Sequence, residues 1–193
     1  MASSQAARTS ISSKNREILD GIKKKVHAEN AGSFQAAAQT TTTVKMLNNG
    51  VGAVKYQENK DWSGSIFGSY PKTVAIGGIG KFSHRGVPPQ DSEGSKGAIV
   101  YVGPRVEGGP DDCAWVFAWS VPDDGSSNKV YAECGLATKY PQGQINWDKI
   151  EASLKASTSE IEYSDEFSKS EISASIDSTG NTPTLAVAFQ VNP

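Results

Sequence analysis

Cys113-Ala114-Trp115-Val116-Phe117-Ala118-Trp119-Ser120-Val121-Pro122 is the stretch that decides the fold. In a strand, side chains two apart share a face, so Trp115, Phe117 and Trp119 line one side and Ala114, Val116 and Ala118 the other. Both sides are apolar, which predicts a strand covered on both faces and placed inside a packed structure rather than at its rim. Pro122-Asp123-Asp124-Gly125 breaks the run, and Lys129-Val130-Tyr131-Ala132-Glu133-Cys134 follows as an antiparallel partner. The resulting hairpin is the expected centre of the molecule.

Working outward, Ala98 to Val102 reads as a buried strand, and Gly103 to Asp112 turns the chain into the hairpin. Further upstream, Thr41 to Leu47 has strand composition, Asn48-Asn49-Gly50 is a turn, and Ala53 to Gln57 is expected as the returning strand. Asp61-Trp62-Ser63-Gly64 and Ser69-Tyr70-Pro71 read as aromatic-bearing loops, Val74 to Ile76 and Gly80 to His84 as strands, and Val87 to Lys96 as a surface loop. Downstream, Asn146 caps a helix from Trp147 to about Ala156 with Trp147, Ile150 and Leu154 on one side. The segment from Ser157 to Lys169 is polar and hard to assign. Ile172, Ala174 and Ile176, then Leu185, Val187, Phe189 and Val191, alternate around Ser178-Thr179-Gly180-Asn181 and predict a second hairpin whose last strand lies within a sheet. At the other end, Ile18, Leu19, Ile22 and Val26 make a helical stripe over Ser13 to Asn30, with Ser12 or Ser13 as cap and Lys23 to Lys25 near the end. Phe34 and Ala36 to Ala38 suggest a second short helix. About eight to ten strands with two or three helices, and no alternation of strand and helix, predict a mainly β antiparallel sandwich, a barrel being the alternative.

The chain has 193 residues and a formal net charge of −2, consistent with a single domain, 1–193, made of a helical segment (1–38) and a β-sandwich (40–193). That charge gives no basic field for nucleic acid. No secretory signal, no spanning apolar run of roughly 20 residues and no glycosylation acceptor is visible, so a cytoplasmic protein is expected. Cys113 and Cys134 flank the hairpin and are expected as buried thiols, with a disulfide as the alternative.

Candidates for chemistry are few. His84, beside Ser83 and Arg85, has no Gly-x-Ser-x-Gly elbow to serve and reads as a half-exposed strand histidine; His27 reads as a solvated residue on a helix end. Asp111-Asp112 and Asp123-Asp124 are turn formers, and Ile76-Gly77-Gly78-Ile79-Gly80 lacks both phosphate-loop and dinucleotide spacing. No catalytic set, metal site or cofactor is expected. Trp62, Tyr70, Tyr101 and Tyr131 are aromatics suited either to stacking on a sugar or choline group or to filling the core.

Asp61-Trp62-Ser63-Gly64, Tyr70-Pro71, Phe82-Ser83-His84, the stretch Asp112 to Ser120 and Val130-Tyr131-Ala132-Glu133 resemble the plant 23 kDa jasmonate-induced proteins, most strongly between residues 60 and 135. That resemblance implies a cytosolic stress or defence protein with no settled enzymatic activity. The order of the strand at 97 to 101, the strand ending Trp119-Ser120-Val121-Pro122, the Lys129-Val130-Tyr131 strand, a helix and a Ser-Thr-Gly hairpin is similar to the actinoporin-like sandwich of pore-forming toxins and fungal fruit-body lectins. It implies binding of phosphocholine or glycans at one end of the sandwich. Ser120 and Pro122 match the toxins' Ser-Val-Pro segment; the aromatic loop that follows it there is here Asp123-Asp124-Gly125-Ser126-Ser127.

The expectation is therefore an actinoporin-like β-sandwich with an N-terminal helix and a short helix before the last hairpin. Its function is expected to be non-enzymatic binding of a glycan or lipid head group, with Ser120, Pro122, Trp62, Tyr131 and Tyr70 at the ligand. The rival functions are a membrane-active protein that releases its N-terminal helix and an enzyme acting on a small metabolite. A deep pocket joining His84 to Asp61 or Glu133 would favour the enzyme.

Overall fold

The computed structural model describes residues 5–8, 10–30, 39–86 and 93–192, with backbone alone for 5–8 and 26–30. In chain order the elements are β1 (Gln5–Arg8), α1 (Ser13–Asn30), β2 (Thr41–Asn49), β3 (Val54–Ser63), β4 (Ser65–Phe67), β5 (Thr73–Val74), β6 (Ile79–Arg85), β7 (Ser95–Gly103), β8 (Cys113–Val121), β9 (Lys129–Leu136), α2 (Trp147–Lys155), β10 (Glu160–Asp165), β11 (Ser170–Ile176) and β12 (Thr184–Val191). They form a seven-stranded sheet, β1-β10-β11-β12-β2-β6-β4, and a five-stranded sheet, β5-β3-β7-β8-β9. Pairing is antiparallel throughout except where β12 runs parallel to β2. These two strands are far apart in sequence, so no tight turn dictates their relative direction.

β8 explains the whole arrangement. Its Trp115, Phe117 and Trp119 face β12 across the sandwich, where Phe189 lies 5.8 Å from Trp115 and 6.2 Å from Phe117 between ring centroids. Its other face, Ala114, Val116 and Ala118, joins Ala98 and Val100 of β7 as a floor of small side chains on which Ile150 and Leu154 of α2 sit. The small residues let the helix approach closely. The seven-stranded sheet repeats the device: Ala186 and Ala188 on the outward face of β12 carry Leu19 and Ile22 of α1. The molecule is thus layered helix, sheet, sheet, helix, and β7, β8 and β12, which are apolar on both faces, lie beneath helices.

Both helices start as their sequence predicts. Asn146 Oδ1 accepts the Lys149 amide at 3.0 Å, and Ser12 Oγ accepts the Asn15 amide at 3.4 Å. A polar seam also anchors α1: Asn15 Nδ2 donates to Glu162 (2.9 Å) and Glu171 (2.6 Å), and Gln190 Nε2 donates to Asn15 Oδ1 at 2.8 Å.

Several expectations are corrected. Asn48-Asn49-Gly50 does not close a hairpin; β2 and β3 belong to different sheets. Asn48 is buried, its amide donates to the Gly52 and Val74 carbonyls and its oxygen accepts the Gly50 amide, so the segment is a corner between layers. Asp61-Trp62-Ser63 is the end of β3, not a loop, and its ladder with β7 is irregular between Asp61 and Ser63. Ser95 and Lys96 open β7 rather than close a loop. The unassigned segment 157–169 contains β10, in which Glu160, Glu162 and Ser164 alternate with only two core residues, Ile161 and Tyr163. The lead-in to the first helix contributes an edge strand, β1, on β10. Gly77, at φ 68°, and Gly78 lie in the turn between β5 and β6, and Gly80 is already within β6. Cys113 and Cys134 are buried and unpaired with each other; in the ladder Cys134 stands opposite Trp115, and Cys113 opposite Leu136. The short helix expected near Phe34 lies outside the described residues, as does the His27 side chain.

Candidate functional site

At the end of β8 the ladder sets Lys96 of β7, Ser120 of β8 and Lys129 of β9 side by side in one row. All three share the outward parity of Ala98, Ala118 and Tyr131, so their side chains rise on the face that carries α2. There they line a groove of about 350 Å³ together with Pro122, Ser126 and Ser127 of the following turn and Leu154 and Lys155 of the last turn of α2. The row supplies the floor, the helix end one wall, and the turn the other.

The cations are anchored. Lys96, only 6% exposed, reaches Glu151 of α2 at 2.6 Å, and Lys155 lies 3.3 Å from the same carboxylate. The hydrogen bond from Lys96, followed by the charges and hydrogen bond of its two lysines, holds the Glu151 carboxyl below the usual carboxylate range despite some desolvation. Lys129 donates to the carbonyl oxygen of Lys155 at 2.6 Å, capping the negative end of the helix.

Of the residues expected at a ligand, Ser120 and Pro122 line this groove. Trp62 lies on the adjoining strand with the Lys96 ammonium 5.9 Å from its ring centroid. Tyr131 is one pair further along β9 on the same face, packed under α2 with its hydroxyl donating to Glu133 at 2.8 Å. Tyr70 is elsewhere. It stacks on Tyr56 at 5.7 Å, meets Phe82 edge-on at 4.8 Å and donates to Asp61 at 2.9 Å at the rim of the core. Tyr101 is fully buried and donates to the Pro71 carbonyl. Lys96, Lys129, Lys155 and the two turn serines escaped the sequence reading. The hairpin register alone places Lys129 opposite Ser120; Lys96 and Lys155 come from strand and helix ends that only packing brings together.

A second constellation has the composition of a hydrolase triad. His84 Nδ1 lies 2.9 Å from Ser95 Oγ, and His84 Nε2 lies 3.5 Å from Asp61 Oδ1. Yet His84 and Ser95 are fully buried, contrary to the half-exposed histidine expected. Ser95 Oγ also receives the Trp119 indole N–H at 3.2 Å and meets Thr42 Oγ1 at 2.7 Å, while the His84 ring packs edge-on against Trp119 at 5.1 Å. Gly64, at φ 90°, closes over it: a Cβ there would lie 2.9 Å from His84 Cε1 and 2.3 Å from the Arg85 carbonyl oxygen. No substrate atom reaches this serine, and the set is a buried polar joint between the two sheets. Among the described residues no cluster of His, Cys, Asp or Glu is arranged to hold a metal ion, and no helix is long and apolar enough to cross a membrane.

Two stacked sheets with a helix on each outer face and a polar groove at one end define a helix-covered β-sandwich. The chain belongs to the Nakanori-like protein family, whose family model matches residues 4–190. It is 32% identical over 193 residues to a jasmonate-induced protein homolog of Atriplex canescens, covering 98% of each chain. It is 35% identical over 107 residues to the 23 kDa jasmonate-induced protein of Hordeum vulgare, covering 54% of this chain and 49% of that one. The fold is similar to that of the lipid-binding protein Nakanori, with a TM-score of 0.66, 15% sequence identity and coverage of 91% of this chain and 82% of the other. At that identity the likeness concerns the fold alone.

Proposed function

We propose that the protein is a non-enzymatic binding protein that takes a lipid head group in the groove at Ser120 and Pro122, in a stress or defence response. The observation that carries this reading is the groove itself: hydroxyls and ammoniums on a rigid sheet, open to solvent, at the end of the sandwich. The lipid binding named for the structural neighbour Nakanori favours a lipid over a glycan, and the jasmonate-induced naming of the relatives favours the stress role. Trp62 borders the site through Lys96, and Tyr131 supports its floor from below the helix.

Flotation with vesicles of a leaf lipid extract, run beside a glycan array, tests it. Ser127 is exposed, so Ser127→Trp fills the groove without touching the core. The wild-type protein should float with the vesicles and Ser127→Trp should lose at least about tenfold in retention, since a blocked contact surface forfeits its burial. Unchanged retention in the filled variant, or array binding without flotation, overturns the lipid site.

A further inference from the structure

We infer that the groove recognises the phosphate of an anionic head group and discriminates against phosphocholine; this rests on the lipid reading above and names the chemistry of its ligand. The lining contains three lysines and three serines, with no carboxylate and no aromatic ring. Neighbouring strands lie about 4.8 Å apart, so the Lys96 and Lys129 backbones flank Ser120 at a separation of roughly 10 Å. Two lysine arms thus border one hydroxyl in the same groove, donors enough for a single tetrahedral oxyanion. Lys155 on the helix end and Ser126 and Ser127 on the turn complete a ring of donors around that point.

The ammoniums retain capacity for a ligand. Each has three N–H donors: Lys129 uses one on the Lys155 carbonyl, Lys155 reaches Glu151, and Lys96 reaches Glu151 at 2.6 Å with Glu93 3.5 Å away. Glu151 stands behind the lining, where it offsets the cost of holding Lys96 nearly buried. Charge-assisted bonds from lysine to phosphate oxygens are the strong contacts such a set makes.

A quaternary ammonium requires the opposite surroundings, aromatic faces with no competing cation. Trp62, on the strand beside the groove, already has the Lys96 ammonium over its ring. Tyr131 packs beneath α2 and spends its hydroxyl on Glu133. The carboxylates of the neighbouring turn are engaged locally: Asp123 accepts the Thr40 hydroxyl and Asp124 accepts the Ser126 amide. They weaken any long-range pull on an anionic surface, so recognition is by contact at the phosphate rather than by a broad basic field.

The test compares vesicles of phosphatidylcholine, of sphingomyelin, and of phosphatidylcholine doped with phosphatidic acid. Retention on the phosphatidic acid vesicles should exceed the others by about tenfold, the worth of one charge-assisted bond. Lys155→Glu should remove that preference. Lys149→Glu, the same charge change at an exposed site six residues away on α2, should leave it within about twofold, as for an isolated surface charge. Equal loss in both variants overturns the site in favour of non-specific attraction. Equal retention on phosphatidylcholine or sphingomyelin overturns the phosphate selectivity and leaves the lipid reading standing; retention on no vesicle, with glycan-array binding, removes the lipid reading itself. Soluble glycerol phosphate separates the sources. Shifts of the Ser120, Ser127 and Lys129 amide resonances without vesicle binding assign a free phosphate ester, shifts with vesicle binding assign the lipid, and no shift at these amides overturns the phosphate site.

Discussion

The ring of Trp119 lies over Gly97, its partner across the ladder, and a Cβ at Gly97 would come within 2.8 Å of Trp119 Cζ2. Gly97→Val should therefore destabilise the protein by about 1–3 kcal/mol, the usual cost of overpacking a dense core, read as a lowered Tm; an unchanged Tm would show that the indole can shift. Ser95 serves the same ring from the other side. Its Oγ accepts the Trp119 N–H and meets His84 and Thr42, so Ser95→Ala should strand buried polar groups at a cost of about 1–3 kcal/mol. Vesicle binding by Ser95→Ala, measured below its Tm, should equal that of the wild type, because the serine lies outside the groove. The aromatic face of β8 was legible from spacing alone. That Ser95 and His84, 11 residues apart on strands of different sheets, would meet at Trp119 was not, because the contact is made between sheets.

At the scale of elements, the two helices are held differently. α2 rests on apolar contact, an N-cap and lysine contacts from the sheet to Glu151 and the Lys155 carbonyl, whereas α1 combines a narrow apolar stripe with the polar seam around Asn15. Removing a cap costs about 1 kcal/mol, so Asn146→Ala should lower stability modestly. Asn15→Ala leaves Glu162, Glu171 and Gln190 without their shared partner and should cost about 2–4 kcal/mol, as loss of a buried network does. Hydrogen exchange should locate that loss in α1 and β12; protection unchanged in α1 would mean the seam does not anchor it. Helix and strand identities came through in the sequence because 3.6 and 2.0 are strong periods. β10 did not, since only Ile161 and Tyr163 alternate toward the core, too short a period to stand out, while Glu162 serves the seam under α1.

For the molecule as a whole, buried ionisable groups set the pH range of stability. Burial pushes the Cys113 thiol up to about 11 and the Cys134 thiol up to about 12, from an ordinary 9.0. The unfolded chain releases these protons first, so their contribution is complete below pH 9.0 and is lost as pH rises through those values. Asp61 behaves oppositely. Burial raises its carboxyl, but hydrogen bonds from His84, Tyr70 and Asn59 together with the His84 charge prevail and hold it below the ordinary 3.8. Its contribution is present above pH 3.8 and lost as pH falls through the lowered value. A denaturation series should show a plateau with both limbs; Asp61→Asn should flatten the acid limb, and Cys134→Ala the alkaline one. An acid limb unchanged in Asp61→Asn would remove the carboxylate from this account.

By itself the sequence determined the elements: a doubly apolar strand at 113–121, its hairpin partner, a capped helix from Trp147, an N-terminal helix and a final pair of alternating strands. Those follow from local periodicity and capping, which act within a few residues. It also singled out Ser120 and Pro122, but not what surrounds them. Only the tertiary structure decided that β2 and β3 part at Asn48, that each strand apolar on both faces lies under a helix, and that Lys96, Lys129 and Lys155 line one groove with Ser120. Convergence of that kind is set by register between strands and by where a helix ends over a sheet, and neither is written in the period of any single segment.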